Sequence, residues 1–131
     1  MNAAPEACYD YLVDPRNRPV WQSSLRWVLM QRDAPAHVGQ TWVDATVVGA
    51  RPVMTTTELE RPTRWTEVGR WAGLTAWLTL TFVPDGPNTL VVAEFLVSGR
   101  GLWRLPAALV QRLAPPAIRA DLARAARGFA S

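Results

Sequence analysis

Between Leu74 and Val83 the chain alternates more cleanly than anywhere else, with Ala76, Leu78, Leu80 and Phe82 on one phase and Trp77, Thr79 and Thr81 on the other. A period of two marks a strand whose faces meet different surroundings. Five further stretches read the same way: Ser24 to Arg32, Gln40 to Val48, Val53 to Glu60, Thr63 to Trp71 and Thr89 to Ser98. Turn-forming residues separate them, namely Asp33-Ala34-Pro35, Gly49-Ala50-Arg51-Pro52, Pro62, Ala72-Gly73 and Pro84-Asp85-Gly86-Pro87-Asn88. Thr55, Thr56 and Thr57 are β-branched, which favours a strand there over a helix. Links this short leave no room for crossover helices, so six strands in sequence make an antiparallel meander.

Helical patterns bracket the meander. Pro5 suits a first helical turn, and Leu12 and Val13 run into Asp14-Pro15, where the residue before proline leaves the helical region. A second turn then delivers Trp21. After the last strand, Leu105, Leu109 and Leu113 recur every four residues, and Ile118, Leu122, Ala126 and Phe129 resume the stripe beyond Pro115-Pro116. Two prolines remove backbone donors, which predicts a kink or break, with Pro116 starting a final helix to about Phe129. A curled sheet closing on that helix through Ile118, Leu122 and Phe129 is the simplest way to bury both apolar faces.

The helix Ala3-Ala4-Pro5-Glu6-Ala7-Cys8-Tyr9-Asp10-Tyr11-Leu12, followed by Asp14-Pro15 and Trp21, resembles the opening of the START-like SRPBCC superfamily, the polyketide cyclase and lipid-transport group. The resemblance runs over nearly the whole chain. It implies one domain, 1–131, of α+β class with the helix-grip fold: a curved antiparallel sheet of about six strands wrapped around a long C-terminal helix. It also implies a strand before the first helix, at the sheet edge beside the last strand. Only Met1-Asn2-Ala3 precede Ala4-Pro5-Glu6, so that strand is missing and the Thr89 to Ser98 edge is expected to stand open. That edge holds no proline and one charge, Glu94, and calls for cover by residues upstream of Met1 or by a second copy in a homodimer.

A chain of 131 residues with 49% hydrophobic and 19% charged residues can bury a core of its own. No apolar run approaches the ~20 residues that span a bilayer, and the start lacks a signal-peptide pattern, so a soluble cytoplasmic protein is the expectation. All 14 basic residues are arginine. Arg100, Arg104, Arg112, Arg119, Arg124 and Arg127 face a single acid, Asp121, after residue 99, giving that tail +5 and the first 99 residues −2. Such a helix either meets an anionic partner or simply presents a solvated face; no aromatic residues interleave with the arginines, so nucleic acid is not expected. Cys8 reads as a small buried apolar side chain. His37 is the sole histidine, so neither a metal site nor a cofactor is expected.

Seven tryptophans (Trp21, Trp27, Trp42, Trp65, Trp71, Trp77 and Trp103) either fill the core or wall a ligand site. Trp21 reads as structural, and Trp71, between Gly69 and Gly73, as the candidate gate. The expected lining comprises Trp42, Met54, Thr56, Trp65, Leu78, Leu80, Phe82, Phe95 and Leu122, around a hydrophobic or aromatic small molecule. Asp44, Glu58, Glu67 and Arg70 are the acid–base candidates, since a carboxylate in an apolar cavity has a raised pKa and can move protons. Glu94, out of phase with Val91, Ala93 and Phe95, belongs to solvent. No phosphate loop, nucleophile elbow or catalytic triad spacing is present. Three functions stay open: a binding module, an enzyme resembling the aromatase/cyclases, or an interaction protein with a closed cavity.

Overall fold

The computed structural model describes residues 1–29 and 36–129. Helix α1, Pro5–Val13, carries proline at its start and stops at Asp14. The Asp14 carboxylate accepts from the Arg16 backbone N–H at 3.0 Å, so it caps the 3-10 turn Pro15–Asn17 that follows. Asn17 donates its side-chain N–H to the carbonyl of Tyr11 at 3.1 Å. A four-residue helix, α2 (Arg18–Trp21), brings Arg18 and Trp21 inward. Cys8, Tyr9, Leu12 and Val13 form the buried face of α1, and Tyr9 meets Phe82 edge-on at 5.2 Å.

Six strands follow: β1 (Leu25–Leu29), β2 (Thr41–Thr46), β3 (Val53–Glu60), β4 (Arg64–Trp71), β5 (Leu74–Asp85) and β6 (Asn88–Gly99). They pair antiparallel in sequence order, which makes the helix-grip α+β fold. The expected end of the first strand near Arg32 and the Asp33-Ala34-Pro35 break lie outside the described residues. Register places Thr56, Glu67, Leu78 and Phe95 in one row across β3 to β6, with Trp65, Leu80 and Ala93 in the next and Phe82 and Val91 beyond. All of these lie on the concave side. Their apolar members, with Trp42 and Met54, build the core together with α1.

Helix α3 spans Arg104–Arg127 without interruption. The break expected at Pro115-Pro116 does not occur. Both prolines are exposed, so the carbonyls of Gln111 and Arg112 that lose their donors can turn toward water. The inward face, carried by Ala107, Asp121 and Ala125, continues unbroken. The helix rests chiefly on β6. Its start is set by Trp103, whose indole covers Gly73 and whose carbonyl crosses Gly99; a Cβ at either glycine would collide. At the other end Phe129 meets Tyr11 edge-on at 5.5 Å.

The β6 edge is less open than its sequence implies. Met1 exchanges two backbone hydrogen bonds with Thr89, its amino group donating at 2.7 Å and its carbonyl accepting at 2.9 Å. The Thr89 hydroxyl donates to the Ala3 carbonyl at 2.7 Å. Met1 and Ala3 thus cover the start of the β6 edge. Farther along, Gln111 of α3 accepts from the Val97 N–H at 2.8 Å and donates to the Phe95 carbonyl at 3.0 Å. Between these two covers, Val91 and Ala93 share the outward parity of Thr89, Phe95 and Val97, and no described protein group bonds their outer backbone atoms.

Candidate functional site

The concave side divides into a filled end and an open end. At the filled end the Arg18 guanidinium lies 5.7 to 6.0 Å from the ring centres of Trp21, Trp42 and Trp65. Arg18 comes from α2, Trp42 from β2 and Trp65 from β4, so the fold assembles this cage from distant sequence. The guanidinium donates two hydrogen bonds to the Glu67 carboxylate, one from Nη1 to Oε2 and one from Nη2 to Oε1, the latter at 2.8 Å. It gives two more to Gln22 Oε1, at 2.9 and 2.7 Å. Asp44 accepts from the Trp42 indole N–H at 2.9 Å.

One guanidinium thus faces two carboxyls, all withdrawn from water. Burial pushes the Asp44 carboxyl above its ordinary value, opposed by Arg18 and by the Trp42 hydrogen bond. Burial likewise pushes Glu67 up, and its contacts with Arg18 offset this only in part. Burial works against the charge on Arg18, but Glu67 and Asp44 more than compensate and hold the guanidinium cationic. The indole N–H groups of Trp21 and Trp65 have no hydrogen-bond partner among the described residues.

The open end lies between β6 and α3. Val91, Ala93 and Phe95 form one wall of a cleft of about 390 Å³, and Pro115, Ile118 and Leu122 form the other. That volume sits in the range of small-molecule sites. Arg119 is the charged residue on its rim, and the outward backbone of Val91 and Ala93 adds polar groups along the strand wall. A hollow of about 350 Å³ at the far side of the sheet, near Trp27 and the β2–β3 turn, is more exposed and holds none of the candidate residues.

The sequence candidates separate accordingly. Trp42, Met54, Thr56, Trp65, Leu78, Leu80 and Phe82 all face the concave side, where their side chains pack against one another and α1. Phe95 and Leu122 reach the cleft. Trp71 lies apart, 41% exposed and edge-on to Trp103 at 5.8 Å, at the corner where the β4–β5 turn meets the start of α3. Asp44 and Glu67 belong to the Arg18 cluster. Glu58 does not join them: a bulge between Thr56 and Glu58 switches the strand's phase and turns it toward Thr66, at 2.9 Å, and Arg64, at 2.7 Å. Arg70 is exposed at the strand end. Arg18 escaped sequence reasoning, because an arginine after Asn17 looks like any loop charge. In sequence the cleft residues Ile118 and Arg119 carry only the signals of helix packing and surface charge.

No family model matches the chain, and no curated protein matches it. Solved structures do share its fold. Protein MLL2253 of Mesorhizobium loti superposes with a TM-score of 0.69 at 17% identity, covering 97% of this chain and 92% of that one. A protein of Rhodobacter sphaeroides gives 0.68 at 18%, over 99% and 87%. CalU16 of Micromonospora echinospora gives 0.54 at 14%, over 98% and 75%.

Proposed function

We propose that the protein binds a hydrophobic or aromatic small molecule, and that the ligand lies in the cleft between β6 and α3 rather than among the tryptophans. The observation that carries this reading is the contrast in filling. The tryptophan cage already holds the chain's own Arg18, whereas Val91, Ala93, Phe95, Ile118 and Leu122 are apolar, half-buried and face open space. Arg119 on the rim favours a ligand with an acidic or carbonyl end, which it would meet by charge-assisted hydrogen bonds. The resemblance to the START-like SRPBCC superfamily supports the same class of ligand. Calorimetric titration with dodecanoate and with 2-naphthol tests it. Saturable binding of at least one, abolished when Ile118→Trp fills the cleft and kept in Trp42→Phe, is the expected outcome; no heat from either ligand contradicts it.

One observation favours a second reading, chemistry of the aromatase/cyclase kind. Asp44 and Glu67 are carboxyls raised by burial, as acid–base groups working near neutral pH need to be, and two unpaired indole N–H groups stand beside them. This reading requires α2 to move and admit substrate. Cyclisation of a poly-β-keto thioester, lost in both Asp44→Asn and Glu67→Gln while Ile118→Trp retains it, would favour it over binding at the cleft. The free stretch of β6 at Val91 and Ala93 also leaves pairing with a second copy, which would lie across the cleft mouth. Light scattering with and without dodecanoate tests that arrangement, because ligand and partner would compete.

A further inference from the structure

We propose that the outer crest of α3 is a docking surface for an anionic lipid bilayer. Leu105, Leu109 and Leu113 recur every four residues, so they share one face of the helix. That face points away from the protein. Leu105 is 78% exposed, Leu109 57% and Leu113 60%, and Leu102, in the 3-10 turn Gly101–Trp103 just before the helix, is 90% exposed. A surface helix normally turns such a stripe inward. Here the inward positions are taken by Ala107, Gln111, Asp121 and Ala125, which leaves the leucines as a contiguous apolar ridge of the kind that marks an interaction site.

Charge identifies the occupant. Arg100, Arg104 and Arg112 are exposed along this stretch, and none of the three has an ion-pair partner among the described residues. The helix's one acid, Asp121, is buried and accepts from the Ser23 hydroxyl at 2.8 Å and from its backbone N–H at 3.2 Å. The surface is therefore apolar and purely cationic. Two copies meeting ridge to ridge would set arginines against arginines, so self-association is disfavoured. Shape decides between the remaining partners. A helical partner needs a groove, and this is a convex crest; a bilayer accepts a crest lying flat, with leucines below the headgroups and arginines reaching up to the phosphates. Trp103 and Trp71, both partly exposed at the leading end, sit where membrane-interface tryptophans belong. No described helix is long and apolar enough to cross a membrane, so the contact is peripheral. Past Pro116 the crest carries Ala120 and Ala123 instead of leucine, which bounds the contact to the first half of α3.

Flotation of the 131-residue chain with two kinds of vesicle tests this. Phosphatidylcholine alone should recover little protein, whereas vesicles with about 30% phosphatidylglycerol should carry it up the gradient, less so in high salt. Leu105→Glu/Leu109→Glu should lower partitioning about tenfold or more. Both sites are exposed, so an unchanged melting curve confirms that the variant is folded. Leu113→Glu alone provides a milder second variant. Absence of flotation with anionic vesicles, or equal flotation of the glutamate variant, overturns the proposal. So does a concentration-dependent complex in light scattering, without flotation, that the same variant dissolves, since that would make the ridge a protein interface. None of these outcomes depends on whether the cleft holds a ligand.

Discussion

Arg18 and Arg119 face opposite ends of one concave surface, and the two ends solve the helix-grip geometry differently. At the first, three indoles, two carboxyls and a guanidinium fill the space until none of these residues is more than 3% exposed. At the second, α3 touches β6 and leaves a cleft. The row Thr56, Glu67, Leu78 and Phe95 crosses from one to the other, and its members pass from 1% and 3% exposure to 9% and then to half-buried. A curved sheet gripping a helix therefore needs not enclose a single cavity. Where the chain supplies a large polar side chain of its own, the space closes; where it supplies valine, alanine and isoleucine, it stays open.

The largest effect should come from breaking the filled end. Glu67→Ala leaves Arg18 buried without its carboxylate and should cost about 3 to 5 kcal/mol in urea unfolding. Replacing both partners, Arg18→Met with Glu67→Leu, should cost less than the single change, because no guanidinium is then stranded. A double variant weaker than the single would mean that the pair itself holds the fold. The contrast sharpens with Trp65→Ala, expected to lose about 3 to 5 kcal/mol as a fully buried indole, set against Leu122→Ala at the cleft. Leu122 already borders open space, so its loss should be about half as large or less. Equal losses would mean that the cleft is packed in solution.

Smaller effects concern the seal along β6. Gln111→Ala strands the Val97 N–H and the Phe95 carbonyl, and should lower stability by about 1 to 2 kcal/mol and promote association, both readable by melting and light scattering. An unchanged monomer would show that water serves those groups as well. The mildest is a pH effect. Burial, reinforced by Asp10, pushes the Tyr9 phenol from its ordinary 10.0 up to about 12. A folded-state pKa above the unfolded one means that the folded chain holds its proton longer. Stability from this group is whole below pH 10.0 and falls as pH rises toward about 12. Tyr9→Phe should flatten that part of the stability profile; an identical alkaline slope in the variant would remove Tyr9 from the account.

The strands were legible because their cause is local: alternation and turn residues fix β3, and nearly fix β4, β5 and β6, from sequence alone. Pro115-Pro116 misled, since whether a proline breaks a helix depends on which way its carbonyls can open, and only the packed structure shows that both rings lie in solvent. The edge of β6 is open at Val91 and Ala93 but covered at both ends, and those covers were not legible for a related reason. Its covers, Met1 and Gln111, are distant in sequence and carry no motif. Half of the candidate site was visible as apolar phase on the strands. The bulge that turned Glu58 outward, and the insertion of Arg18 among three indoles, are tertiary events with no signature in spacing.

On the proposed function, ligand enters between β6 and α3 while the tryptophan end stays closed. Backbone amide shifts recorded by NMR during titration with dodecanoate test it most directly. Saturable shifts are expected at Val91, Ala93, Phe95, Ile118 and Leu122, with Trp42, Asp44 and Trp65 unmoved. Shifts centred on Trp42, Trp65 and Arg18, with the cleft silent, would contradict it.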